Sequence, residues 1–256
     1  MATFHANPVV GPGHQVRTRR STVQRMRPLV VVAALLTALA VPTQATAASP
    51  PIEPADVQAS RAFMTEFGVA PEVQDRLLNK GLAGGLNDAD VRGGAKPVSV
   101  TNEARGGSAV TISTYADGSI GVVERELPPR VVKPGGGATT FSVTGCRVVG
   151  GSGWASYTNC KVHYRTTIFS YGFYANFTTT TSWDSISSVG SPFFTYAVGH
   201  NYESHQLRIL KGVESASEPA HAELAIIYNV AAGIGGQVTK GVRLKVGGNQ
   251  YWQENS

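Results

Sequence analysis

The sequence predicts a mainly β protein: a C-terminal β-sandwich of about eight strands, preceded by a short helical pair and a β-hairpin. Three observations carry this. Apolar residues alternate with polar ones through residues 141–256, in short runs separated by Gly, Ser and Asn. Helical spacing is confined to residues 48–95. Between them, an Asp-Gly turn joins two alternating runs within 97–126.

The chain opens on a different pattern. Met26 and Arg27 lead into Leu29–Val41, an uncharged apolar run. Pro42 ends any helix there, and Ala45 and Ala47 are the small residues a signal peptidase reads. This predicts a signal peptide over residues 1–47, cleaved between Ala47 and Ala48. Residues 1–25 are either a long n-region or lie upstream of a true start at Met26. The run is shorter than the roughly 20 residues of a spanning helix. The mature chain carries no transmembrane segment, so a secreted, extracellular product is expected.

Charge follows the same division. The chain has 22 Lys and Arg against 17 Asp and Glu. Arg17, Arg19, Arg20, Arg25 and Arg27 all precede residue 48, where no acidic residue occurs. The mature part is therefore formally neutral, which removes the compositional case for nucleic acid or an anionic membrane as partner. Cys146 and Cys160 are the two cysteines, and in an oxidising compartment an even pair reads as one disulfide. Their midpoint is Gly153, inside the turn candidate Gly150–Gly153, so a hairpin centred there would set Cys146 opposite Cys160.

Each element then has its own signal. Ala59, Phe63 and Phe67 share a helix face, with Gly68 placed to cap it. Pro71 fits the first turn of a second helix carrying Val73, Leu77 and Leu78, with Gly81 expected after its end. Val110 and Ile112, then Ile120 and Val122, form the hairpin around Asp117-Gly118. Residues 127–140 hold Pro128, Pro129, Pro134 and Gly135–Gly137, a linker composition that suggests a domain boundary. Residues 141–256 supply the sandwich through runs such as Phe173–Phe177, Leu224–Tyr228 and Val242–Val246. Short strands with frequent turns suggest an immunoglobulin-like arrangement.

Four stretches resemble uncharacterised secreted actinobacterial proteins with a C-terminal β-sandwich. They are FGVAPEVQDRLLNK (Phe67–Lys80), TYADGSI (Thr114–Ile120), GSGWASYTNCKV (Gly151–Val162), and VGG before an aromatic (Val246–Gly248, Tyr251). The resemblance implies a secreted sandwich behind a helical and hairpin segment, and implies no activity. Some members carry a second cysteine pair in the later half, which this chain lacks.

Catalytic signals are weak. Gly150–Gly153 is followed by Trp154 where a nucleophile elbow needs glycine, so a hairpin loop is expected instead. His200 and His205 flank Glu203 without a zinc-ligand spacing, so a solvated loop is expected and no metal. His163 and His221 read as surface strand residues. No cofactor motif is present. A glycosidase needs two acids across a cleft; Asp184, Glu203, Glu214, Glu218, Glu223 and Glu254 are available, and spacing nominates no pair. Aromatics in polar surroundings carry the functional signal: Trp154, Tyr157 and Trp183 are candidate ligand-binding residues, since flat rings stack on sugar faces.

Three readings follow: a non-catalytic extracellular binding module for a cell-surface glycan or protein, a secreted hydrolase acting on glycans, or a structural envelope-associated protein. The leader gives the first test. N-terminal sequencing of exported protein is expected to return Ala48, and a start upstream of Leu29 would refute the assignment.

Overall fold

The computed structural model describes residues 54–91, 93–126, 145–231 and 235–256. The expected leader, its cleavage site at Ala47 and Ala48, and the linker at 127–140 lie outside them.

Two helices come first, α1 (Pro54–Glu66) and α2 (Pro71–Leu82). Gly68 ends α1 as expected, at φ 72°. Its N–H donates to Thr65 O at 3.1 Å and the Val69 N–H to Met64 O at 2.9 Å, which satisfies the last carbonyls. Pro71 opens α2 with no donor to lose. The expected stop at Gly81 is corrected: Gly81 lies inside the helix, and Gly84, at φ 80°, caps it. Gly81 is there for close approach. A Cβ on it would fall 2.8 Å from the Ile168 side chain.

The expected hairpin is a three-stranded meander: β1 (Ser99–Arg105), β2 (Ser108–Thr114) and β3 (Ile120–Glu126). Asp117-Gly118 does turn the chain between β2 and β3. The loop is longer than two residues, because Tyr115 N–H already bonds Ser119 O at 2.9 Å and Gly118 takes the left-handed position at φ 82°. Eight strands follow, the expected number: β4 (Arg147–Gly151), β5 (Trp154–Thr166), β6 (Phe169–Thr180), β7 (Ser185–Ala197), β8 (His200–Lys211), β9 (Ala220–Val230), β10 (Gln237–Gly247) and β11 (Gln250–Asn255).

These strands form two antiparallel sheets. The first has seven strands in the order β1-β2-β3-β5-β6-β7, with β4 paired to β5 off that path. The second has four, β11-β10-β9-β8. Nearly all spatial neighbours are also neighbours in sequence. An immunoglobulin-type sandwich needs Greek-key returns, so the two-sheet β expectation is met and its immunoglobulin-like form is not supported. On either side of the linker expected at 127–140, β3 and β5 pair directly with each other.

Strand β6 explains how the layers meet. Phe169, Tyr171, Phe173, Ala175 and Phe177 alternate along it and all are buried. Phe169 lies 5.0 Å from Tyr228 of β9, Phe177 lies 4.8 Å from Tyr251 of β11, and the Tyr171 hydroxyl donates to Gly241 O at 3.3 Å. These contacts bury the facing sides of both sheets. The other side of the first sheet takes the helices. Phe63 packs near Tyr196 of β7, and the Ser60 hydroxyl donates to Thr167 O.

Cys146 and Cys160 are disulfide-bonded, with Cα atoms 4.0 Å apart. The register differs from the expectation. The β4–β5 ladder pairs Arg147 with Thr158 and Gly151 with Trp154, which would set Cys146 opposite Asn159. Asn159 instead adopts φ 57° within a bulge between Tyr157 and Cys160, and its N–H is held by Asn176 Oδ1 at 2.6 Å. The extra residue brings Cys160 to Cys146. The bridge sits where β3 ends and β4 begins, both on the same edge of β5. The Glu126 carboxylate closes the same seam, accepting from Cys146 N–H at 2.9 Å and Lys161 N–H at 3.0 Å.

Cys146→Ser is expected to lower stability by about 3 kcal/mol, the chain-entropy value for a loop of this length. Hydrogen exchange should accelerate at the seam amides of Cys160 and Lys161 before it does in β9 and β10. Uniform acceleration throughout would mean that the bridge does not act locally.

Candidate functional site

Of the three nominated aromatics, two lie on the surface and one does not. Trp154 is 45% exposed and Trp183 is 51% exposed. Tyr157 stacks on Phe177 at 4.5 Å and leans on Tyr251 at 5.0 Å, so it is part of the packing between sheets. Trp154 opens β5 directly opposite Thr180, and Trp183 follows in the turn after β6. Both indoles therefore stand at one end of the first sheet.

That end is braced. The Thr181 N–H donates to Gly153 O at 2.9 Å, joining the β4–β5 turn to the β6–β7 turn. Asp184 is fully buried and ties turns of both sheets together. Its Oδ1 accepts from Thr180 N–H at 2.7 Å and its Oδ2 from Asn249 N–H at 2.8 Å, between β10 and β11. Its main-chain oxygen accepts from Glu214 N–H at 2.9 Å. Thr180 Oγ1 accepts from the N–H of Trp183 at 2.8 Å, fixing the backbone beneath that indole. Trp154 lies over Gly151, where a Cβ would fall 2.8 Å from the indole nitrogen. Thr181 and Ser182 are exposed beside them. Flat apolar rings with hydroxyls alongside, on a rigid base, are suited to stacking against a sugar face.

A concave feature elsewhere was not legible in the sequence. The first sheet reaches past the edge of the second, leaving a groove of about 390 Å³. Asn102, Thr111, Val123 and Arg125 line it together with Trp252 and Gln253 of β11. It could not have been read in advance because β1 itself gives no signal: every one of its residues is exposed.

The histidines are corrected most. His163, expected on the surface, is buried. Its Nε2 lies 3.0 Å from Ser170 Oγ and its Nδ1 lies 3.4 Å from Glu124 Oε2. Three adjacent strands thus align a Ser-His-Glu relay on one face. The order of groups is that of a nucleophile, base and orienting acid, but two features oppose that use. Ser170 is paired to Arg165 on one side and Tyr196 on the other, which places it in the middle of the sheet and not on a turn. Its hydroxyl is also sealed from solvent, with Ser170 only 1% exposed. The stretch from His200 to His205, expected as a solvated loop, is the start of β8. His200 is buried beside Phe169, while His205 is exposed and takes the Tyr202 hydroxyl at 2.6 Å.

The six nominated carboxylates are each engaged. Glu223 pairs with Arg243 at 3.0 Å, Glu254 with Lys245 at 2.8 Å and Glu218 with Lys211 at 3.0 Å. Glu203 accepts from Gln237 at 2.9 Å, Glu214 accepts from Gly248 N–H at 3.0 Å, and Asp184 is described above. Among the described residues no cluster of His, Cys, Asp and Glu could hold a metal ion, and no helix is long and apolar enough to cross a membrane.

No family model and no curated protein matches the chain. Among solved structures, a hypothetical protein of Listeria monocytogenes is similar at 14% identity, covering 58% of this chain and 94% of that one, with a TM-score of 0.30. A likeness at that score carries no argument about either fold or function.

The relay makes a prediction about pH. Burial opposes ionisation of Glu124, but the His163 hydrogen bond and the Arg165 charge outweigh it and hold the carboxyl at about 2, below its ordinary 4.5. A carboxyl depressed in the fold stabilises above its unfolded pKa and loses that contribution as pH falls toward the folded one. Burial likewise pulls the His163 imidazole below its ordinary value, so acid works against it in the same direction. The contribution of this pair is expected to fall from about pH 6, where an unfolded histidine begins to charge, to about pH 2. Glu124→Gln should flatten that slope in urea melts across the range, and an unchanged slope would exclude Glu124 as its source.

Proposed function

We propose that this chain is an extracellular, non-catalytic binding module whose contact surface is the Trp154 and Trp183 end, and that its ligand is a cell-surface glycan. One observation carries the reading: two half-exposed indoles stand at the same end of one sheet, on turns that Asp184, Thr180 and Thr181 hold rigid. Leaving two tryptophans in water forgoes burial energy that the core would otherwise collect. Tryptophan is also the side chain most enriched where binding energy concentrates. The bracing reduces the ordering cost of association, which is what a preorganised surface contributes.

The competing hydrolase reading loses support at its named residues. The six acids are paired or bonded, and the serine relay is closed to substrate. The Cys146–Cys160 bridge fits an oxidising compartment, as the leader-like N-terminus does.

Binding to purified cell-wall polysaccharide, followed by co-sedimentation and by tryptophan fluorescence, tests the proposal. Trp154→Ala and Trp183→Ala are each expected to weaken binding about tenfold or more, with the melting temperature unchanged because both side chains lie outside the core. Variants that bind as well as the parent would remove this end as the contact surface.

A further inference from the structure

The far side of the molecule holds a buried pair of ionisable side chains that the proposed binding does not use. Asp90 closes a short turn, Asp88–Asp90, between α2 and β1. This turn is pinned in place: Ala89 N–H donates to the Ser119 hydroxyl at 3.0 Å and Asp88 N–H to the Asp117 carboxylate at 2.8 Å. Asp90 is 2% exposed. One carboxyl oxygen, Oδ1, accepts from Thr166 Oγ1 at 2.5 Å, and the other, Oδ2, is buried without a partner. Lys240 of β10 is 5% exposed, lies 4.9 Å from the centre of the Phe169 ring, and donates from Nζ to the main-chain oxygen of Asp90.

We propose that Lys240 and Asp90 are joined by an amide between Nζ and Cγ, an intramolecular cross-link from β10 to the turn before β1. The geometry supplies the encounter. Nζ already touches the backbone of the residue whose carboxyl it would attack, and that carboxyl lies a few bonds away along the same residue. Closing the link brings the amine from the Asp90 main-chain oxygen to Cγ of the same residue. Fixed neighbours of this kind react with effective concentrations far above any free amine.

The step balances without another reagent. The uncharged Nζ adds to Cγ of the protonated carboxyl and forms the C–N bond. The C–O bond to the hydroxyl oxygen then breaks. That oxygen leaves as water with the carboxyl proton and one proton from Nζ, and nothing is oxidised or reduced. The Thr166 hydroxyl, donating to Oδ1, polarises the carbonyl under attack and accommodates the charge that develops there. The surroundings favour the uncharged reactants. Burial pushes the Asp90 carboxyl up to about 6, and burial pulls the Lys240 amine below its ordinary value. The product also removes two costly features, a buried ionisable amine and the orphan oxygen Oδ2. The Phe169 ring and the packed turn keep out the water that would reverse the reaction.

Intact mass of the full-length exported protein, reduced and alkylated so that the disulfide does not contribute, decides the matter. A deficit of about 18 Da, one water, is expected. A tryptic digest should yield the peptides carrying Asp90 and Lys240 as one branched species. Lys240→Met should restore the full mass and release both peptides separately. A full mass in the folded parent would show an unlinked buried lysine and aspartate and overturn the proposal. So would a deficit of about 17 Da, one ammonia, which would place the link on the carboxamide of nearby Asn87.

Discussion

One edge of β5 has to serve two strands. β5 runs from Trp154 to Thr166, and β3 and β4 lie end to end beside it, each covering about half. Where they abut, the ladder is interrupted, and interrupted backbone is costly unless its polar groups find partners. Three devices meet at that seam: the Glu126 carboxylate on two amides, the bulge at Asn159, and the disulfide. Both faces of β5 depend on the seam being closed. Tyr164 and Cys160 belong to the buried core, while His163 and Arg165 point to the helix-covered side.

On that helix-covered side, Arg165 is the joint. Its guanidinium lies 4.7 Å from the Phe63 ring and 5.2 Å from the Phe67 ring, and it pairs with Glu66 of α1 and Glu124 of β3. A planar cation can stack and form ion pairs at the same time, which a lysine cannot do as well. The same pairing sets Glu124, which in turn orients His163 toward Ser170. The resemblance of this relay to a catalytic triad thus arises from a structural need: charged groups buried beneath a helix must satisfy one another. Triad-like distances alone are poor evidence for catalysis where the serine is buried within the sheet.

Local chemistry was the legible part of this sequence. Gly68, Pro71 and the Asp117-Gly118 turn act through their own backbone preferences, so they could be placed without knowing the fold. Strands such as β6, β9 and β10 announced themselves by alternation, because each has one side buried. What failed was whatever depended on a distant partner. β1 has no buried side and so no pattern. Gly81 looked like a stop because its true role, making room for Ile168, involves a residue far along the chain. His163 looked exposed because neither Glu124 nor Ser170 can be assigned to its side from spacing. The disulfide register was missed by one residue because a bulge carries no fixed sequence signal. The candidate surface fell between these cases. Trp154 and Trp183 could be nominated from their polar neighbours, but not the buried Asp184 that unites their turns, nor the packing of Tyr157 against Phe177.

The strand order has a kinetic consequence. Almost every strand pairs with the one made just before it, so hairpins can close over short loops without waiting for remote segments. Structures dominated by such nearby pairings reach the native state sooner than Greek-key sandwiches of similar size. The slow event should be the one long-range closure in the first sheet, β3 onto β5 across an intervening strand. Until it occurs, the β1–β3 meander is a separate ribbon whose β3 edge lacks the partner it has in the folded sheet.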